Sequence, residues 1–199
     1  QPESSAASDV YKRQEFFSNG FPAEYGNKLS SYGNIRYRNG KKDSLAANIS
    51  LGMGGAGGLV EGPLTEDVSF IGSYRRSYLD IISDAINAGG GLPSYGDLQG
   101  KLKYNPSHFS AYTILFINGN SLYEREKTES ISVGENTYGS FKNNQNTPGL
   151  AHRYIWNKNI YSNTSLSLSY QDAKAIFYEN KSDTISLRTK DLYKTFNAR

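Results

Sequence analysis

The chain has 199 residues, no cysteine and a formal net charge of +3 that is dispersed along its length. The lack of cysteine excludes a disulfide framework, a thiolate metal site and a thiol nucleophile. The dispersed charge disfavours nucleic-acid binding, which requires a concentrated basic face. No apolar run approaches the about 20 residues that a membrane helix needs.

The chain is rich in aromatic residues and glycine, with 16 Tyr, 9 Phe and 20 Gly. This composition suits strands, turns and the aromatic girdles of membrane barrels. A Tyr-rich soluble β-domain fits the composition equally well.

The N-terminal part is predicted to contain two segments of different origin. Residues 4–14 (SSAASDVYKRQ) resemble a non-native leader that recurs at the ends of proteins predicted from assembled environmental DNA. We therefore expect residues 1–14 to be a non-native leader and the chain to be a gene fragment. Gly and Pro mark a bend over 19–27, a short strand follows over 29–38, and Asn39-Gly40 is a turn signal.

Alternating hydrophobicity begins at Leu45, where every second residue through Met53 is apolar. A period of two is typical of a strand, and Gly54-Gly55 permits a tight reversal after it. The same pattern predicts further strands over 56–64, 68–75, 98–104 and 165–170, with less regular ones over 109–117, 150–156 and 184–193. About eight strands therefore follow Gly40, each near the 9–11 residues of a tilted membrane strand. Residues 78–88 have helical spacing as an alternative, but we place them in a loop.

The connections between these strands alternate in length. The short ones are 63–67, 105–108 and 157–159, and the long ones are 79–94, 118–147 and 172–183. Membrane barrels have short periplasmic turns and long extracellular loops, so this rhythm predicts an all-β, antiparallel transmembrane β-barrel. The alternation by itself fits an amphipathic sheet on a soluble core equally well.

Candidate catalytic groups are sparse, and we predict that the chain is not an enzyme and has no cofactor, metal or catalytic residue. His108 and His152 share no ligand-like spacing, and both are expected at the surface or at a membrane interface. Glu124, Glu126 and Glu129 are expected in a solvated charged loop. The Gly-rich stretch 52–58 lacks the Lys-Ser/Thr of a phosphate-binding loop, and its glycines are read as a chain reversal.

Arg75 and Arg76 are adjacent on a predicted strand, so they point to opposite faces. Tyr74 belongs to the apolar face, and Arg75 is therefore expected to face the lumen and to pair with an acidic group of the plug or the barrel. Arg76 lies on the same face as Tyr74. We expect it beyond the hydrocarbon band, where its charged end reaches water at little cost in free energy.

Residues 20–31 (GFPAEYGNKLSS) resemble the end of the plug domain of TonB-dependent outer-membrane receptors, of the type common in Bacteroidetes. Residues 61–64 (EGPL) and 72–80 (GSYRRSYLD) resemble the family's first descending strand and its next ascending strand. Residues 97–102 and 162–164 are looser matches.

The resemblance implies a fragment of a plugged barrel of about 22 strands in the cell outer membrane of a Gram-negative bacterium. It assigns 15–40 to the end of the plug and 41–199 to the first, roughly eight, barrel strands. The implied function is import of a scarce nutrient: a siderophore, cobalamin, glycan or peptide. The implied partners are outer-membrane lipid, the TonB complex through a missing N-terminal part, the nutrient and a surface lipoprotein, but no nucleic acid. Ligand contacts are expected in the three long loops, at no particular residue.

Two alternatives stay open at this point. A complete barrel of eight strands would serve as a structural anchor or adhesin. A soluble carbohydrate-binding β-domain would use exposed Tyr side chains to stack on sugars.

Overall fold

The computed structural model describes residues 10–17, 31–52, 55–78 and 93–199. These residues form ten strands and one short helix, which confirms the all-β prediction. The elements are β1 (Tyr11–Phe17), β2 (Tyr32–Tyr37), β3 (Ala46–Gly52), β4 (Gly55–Pro63), β5 (Val68–Ser77), β6 (Ser94–Tyr104), β7 (Ser110–Arg125), α1 (Lys127–Ser132), β8 (Thr137–Ile155), β9 (Tyr161–Glu179) and β10 (Ile185–Ala198).

Strands β3 to β10 form one antiparallel sheet in which each strand pairs with the next along the chain. The eight strands match the predicted number. Within the described residues, β3 and β10 are the two edges of this sheet and do not pair with each other. Strands β1 and β2 form a separate antiparallel hairpin.

The three predicted short connections lie at one end of the sheet, after β4, β6 and β8. In the last of them, the Asn157 side-chain carbonyl accepts hydrogen bonds from the backbone N–H groups of Asn159 and Ile160. The reversal after β3 is also confirmed, since Gly52 pairs with Gly55. Most of the predicted loop 79–94 lies outside the described residues, as do Met53 and Gly54.

The other two predicted long loops are wrong. Strands β7, β8 and β9 have 16, 19 and 19 residues, so most of 118–147 and most of 172–183 continue the sheet. The β7–β8 ladder runs without a slip from Ser110 opposite Tyr154 to Arg125 opposite Gly139. The half of this pairing that lies away from the short turns is rich in Asn. Asn-rich segments are typical of loops, but backbone pairing needs no apolar side chains. Strand formation there follows from extension of a hairpin that is already in register.

The β1–β2 hairpin packs on one face of the sheet. Val10, Leu59 and Ile71 form the buried apolar core between them. The Lys101 ammonium donates a hydrogen bond of 2.8 Å to the Tyr37 carbonyl. Since Val10 is almost fully buried and β1 begins at Tyr11, the predicted leader–plug boundary at 14/15 falls inside a strand.

The segment that follows β2 is fixed by an ion pair and a close backbone approach. The Arg38 guanidinium contacts the Glu61 carboxylate, whose side chain is almost fully buried. Gly40 lies so close to β5 that an added Cβ would stand 1.8 Å from the Phe70 carbonyl oxygen. Only glycine fits there, which gives the Asn39-Gly40 turn signal a packing reason.

The hairpin contact can be tested with two isoleucines on opposite faces of the sheet. Ile71 is 2% exposed and Ile114 is 50% exposed. We expect Ile71→Ala to lower the free energy of unfolding by about 2–5 kcal/mol, since it leaves a cavity under the hairpin. Ile114→Ala, which removes the same atoms, should cost clearly less. Urea unfolding in mild detergent measures both, and equal losses would contradict the packing described.

Candidate functional site

Strand register sorts the side chains of the sheet into two faces. The first, which we call the polar face, carries Ser69, Ser73, Gln99, Lys101 and Thr113, which alternate along their strands with residues of the other face. The hairpin packs against this face. The second, which we call the apolar face, carries the side chains at the intervening positions.

Two neighbouring rows of the apolar face contain only apolar residues and glycine. The rows cross all eight strands and alternate with polar-face rows. Toward the short-turn end, one row holds Leu45, Gly62, Phe70, Leu102, Ile114, Leu150, Leu166 and Ala198. The next row outward holds Ala47, Val60, Gly72, Gly100, Phe116, Pro148, Leu168 and Phe196.

Many of these apolar side chains are exposed, while Phe70, Leu102 and Phe116 are half-buried. Leu150, Leu166 and Phe196 are exposed, and Ile49, two residues after Ala47 on the same face, is 82% exposed. Scattered exposed apolar residues are normal, but a contiguous apolar surface of this width marks an interaction surface. The arrangement therefore requires an apolar neighbour.

A run of aromatic rings borders the apolar rows at the short-turn end. Tyr104 stacks on Tyr112 at 6.1 Å, and Tyr112 stacks on His152 at 4.3 Å. Tyr154 continues the run and meets Trp156 edge-on at 4.8 Å. His152 thus belongs to an aromatic border, and its Nε2 lies 2.9 Å from the Ser110 hydroxyl. Residue spacing alone indicated none of these ring contacts, because they join three different strands.

The predicted pairing of Arg75 with an acidic group is confirmed on the polar face. Its guanidinium makes two contacts of 2.8 Å, from Nε and Nη2, to one carboxylate oxygen of Asp97 on the adjacent strand. Arg76 points to the opposite face, as its parity predicted. Its place relative to a hydrocarbon layer stays a prediction.

Several polar atoms are buried where the hairpin covers the polar face. The hydroxyls of Ser69 and Ser73 and the Oε1 atom of Gln99 have no hydrogen-bond partner within the described part of the chain. Buried polar groups are usually satisfied by protein or ordered water. This surface therefore has spare capacity for water or a polar ligand.

The end of the sheet opposite the short turns carries helix α1 and an open cavity of about 510 Å³. The prediction of a solvated loop for Glu124, Glu126 and Glu129 is wrong for two of the three. Glu124 belongs to β7. Glu129 lies in α1, where its carboxylate accepts a hydrogen bond from the Glu126 backbone N–H and so fixes the first turn.

An ion pair joins α1 to the turn between β9 and β10. The Asp183 Oδ1 atom lies 2.5 Å from the Lys127 ammonium and accepts a hydrogen bond of 3.0 Å from the Tyr138 hydroxyl. The bond from Lys127, followed by that from Tyr138, holds the pKa of the Asp183 carboxyl below its usual value. Tyr138 also stacks on Tyr178, at 5.3 Å, beside the cavity.

Comparison of the chain with protein-family models, curated proteins and solved structures found no match. In the described ranges, no cluster of three or more His, Cys, Asp or Glu side chains is arranged to hold a metal ion. No helix of the described residues is long and apolar enough to cross a membrane. His108 lies exposed in the connection between β6 and β7, apart from His152.

The contact between α1 and the β9–β10 turn should depend on pH in a defined direction. Because the pKa of Asp183 is lower in the folded chain, its ionised carboxylate favours the folded contact above the ordinary pKa of an aspartate. This contribution is lost as the pH falls through the depressed value. We expect a carboxyl ¹³C titration to place the pKa of Asp183 below the ordinary value of an aspartate, and Lys127→Met to raise it. A pKa that does not change in the variant would contradict the assigned cause.

Proposed function

We propose that the chain is part of a TonB-dependent receptor of a Gram-negative outer membrane, with β3–β10 forming the first strands of its barrel. The observation that carries this proposal is the pair of wholly apolar rows that cross all eight strands, with side chains that are exposed or half-buried. In a membrane barrel such rows face hydrocarbon, and the alternate residues face an aqueous or plugged lumen. The motifs at 20–31, 61–64 and 72–80 supply the family.

Lipid is a better partner for the apolar face than a second protein layer. The rows are continuous over eight strands, and the aromatic run of Tyr104, Tyr112, His152 and Tyr154 follows one margin of them. Aromatic side chains are enriched where a membrane meets water, because a ring has an apolar body and a polar edge. A packed sandwich has no reason to line one margin of its interface in this way.

The hairpin supports the assignment of 15–40 to the end of a plug. It packs on the polar face, which would face the lumen, and it is fixed there by Arg38 with Glu61 and by Lys101 with Tyr37. A plug occupies the lumen of such barrels. Ligand binding and release would then take place next to the polar face, and the energy would come from the inner membrane through TonB.

Nutrient class is left open by this proposal, since one architecture serves siderophores, cobalamin, glycans and peptides. The extensions of β7, β8 and β9 place the outer ends of three strands well beyond the 9–11 residues that span a membrane. These extensions and α1, rather than unstructured loops, would present ligand contacts outside the cell.

Membrane placement predicts opposite outcomes for substitutions at two neighbouring residues of β9. We expect Leu166→Arg to weaken co-flotation of the refolded chain with phosphatidylcholine vesicles, since an arginine on the lipid-facing surface costs free energy that rises from the interface to about 2–4 kcal/mol at the midplane. Ser165→Arg adds the same side chain to the polar face and should leave flotation close to that of the unchanged chain. Equal effects of the two substitutions, or no flotation of the unchanged chain, would contradict the proposal.

The receptor assignment has a separate test in the coding DNA that flanks this segment. We expect an upstream region that encodes the rest of a plug with a signal peptide, and a downstream region that encodes many further strands ending in an aromatic residue. In-frame stop codons close to both ends would contradict the receptor and favour a small barrel or a soluble domain.

A further inference from the structure

Three lysines stand side by side on the apolar face, beyond the apolar rows. Lys142 of β8 is directly opposite Lys174 of β9, and Lys174 is directly opposite Lys190 of β10. We call these three residues the lysine ladder. Arg188 precedes Lys190 by two residues on the same face of β10 and extends the basic surface.

The charge of the lysine ladder is only partly neutralised by its surroundings. Like charges directly opposite each other in neighbouring strands destabilise a sheet. In the described part of the chain the only carboxylate paired with the ladder is Asp172, whose Oδ2 atom lies 3.0 Å from the Lys174 ammonium. Lys142 and Lys190 have no ion pair there, and all three lysines are exposed. Protection of a sheet edge accounts for Lys190 on β10, but not for Lys142 and Lys174 on inner strands.

The ladder has a defined position relative to the apolar rows. Lys174 follows Leu168 by six residues on the same face, which is about 20 Å along a strand. Between them lies a polar zone, in which Asn118 donates hydrogen bonds to Asn144 and Asn146 of 3.1 and 2.9 Å. The same zone carries Asp172 of β9 and Lys194 of β10. The order from the apolar rows outward is thus hydrocarbon-like, then polar with charges of both signs, then cationic.

We propose that the lysine ladder binds phosphate groups of the head groups of membrane lipids. The order of surfaces matches the order of chemistry in a lipid leaflet, where acyl chains give way to polar linkages and then to charged phosphate. A phosphate between two opposed ammonium groups removes the like-charge cost that the bare ladder carries. The inference rests on the membrane placement proposed above, because a lipid head group reaches the ladder only if the apolar rows face acyl chains.

The test compares two triple variants on two kinds of vesicle. The first, Lys142→Gln/Lys174→Gln/Lys190→Gln, removes the ladder. The control, Lys12→Gln/Lys41→Gln/Lys42→Gln, removes the same charge from exposed lysines of the N-terminal segment. Flotation is measured on phosphatidylcholine vesicles and on the same vesicles with added phosphatidylglycerol. The head group of phosphatidylglycerol has a net negative charge, whereas choline neutralises the phosphate of phosphatidylcholine.

We expect phosphatidylglycerol to strengthen association of the unchanged chain and of the control variant. The ladder variant should lose this gain by about tenfold or more, since each lysine near an anionic surface is worth roughly fivefold in affinity. All three proteins should float equally with phosphatidylcholine alone. High salt should reduce the gain, as it does for exposed charges.

Different outcomes separate the two proposals. If the unchanged chain does not float with phosphatidylcholine, the membrane placement fails. If it floats but the ladder variant keeps its full gain, or the control loses as much, the lipid-phosphate site is refuted. If inorganic phosphate binds the unchanged chain but not the ladder variant, while phosphatidylglycerol gives no gain, the ladder takes a soluble phosphate ligand and the lipid assignment is overturned.

Discussion

Strict two-residue alternation, held in register across eight antiparallel strands, is the constraint on which the rest of this structure depends. A slip of one residue in any strand would move its entire apolar set to the other face. The strand pairing from β3 to β10 has no such slip at the positions that form the two apolar rows. Glycines at 62, 72 and 100 lie within these rows and keep them apolar without adding bulk.

The two faces differ in chemistry. The apolar face calls for an apolar neighbour, and in the membrane placement proposed above its aromatic margin and lysine ladder would meet successive layers of the bilayer. The polar face receives the N-terminal hairpin through Arg38, Lys101 and the small core around Ile71. It also carries the Arg75–Asp97 pair and the Ser69 and Ser73 hydroxyls, which have no partner among the described residues. Under the proposed function, this is the space of the plug and its ligand.

Alternation made the all-β fold, the strand count and the pairing of Arg75 predictable from sequence. Strand ends were predicted less well, because Asn-rich segments such as 118–125 and 137–146 look like loops until the neighbouring strand is known to continue beside them. The aromatic run and the lysine ladder could not be found from spacing. Their members, such as Tyr112 with His152 and Lys142 with Lys174, meet only through register between strands distant in sequence. The sequence contains a signal for the start of α1, because Glu129 follows the N-cap residue Glu126 by three positions. In a run of charged residues this signal is hard to distinguish from a solvated loop.

The most direct test of the membrane placement is a spin-label scan along β9, with cysteine introduced singly at residues 162–178 of the chain refolded in phosphatidylcholine vesicles. Collisions with oxygen report lipid exposure, and collisions with a water-soluble nickel complex report aqueous exposure. We predict that the oxygen collision rate alternates with a period of two over 162–170, with maxima at Leu166 and Leu168. Beyond Asp172, the nickel complex should reach labels on both faces. Nickel access at Leu166 and Leu168 equal to that at Lys174 would contradict the membrane placement.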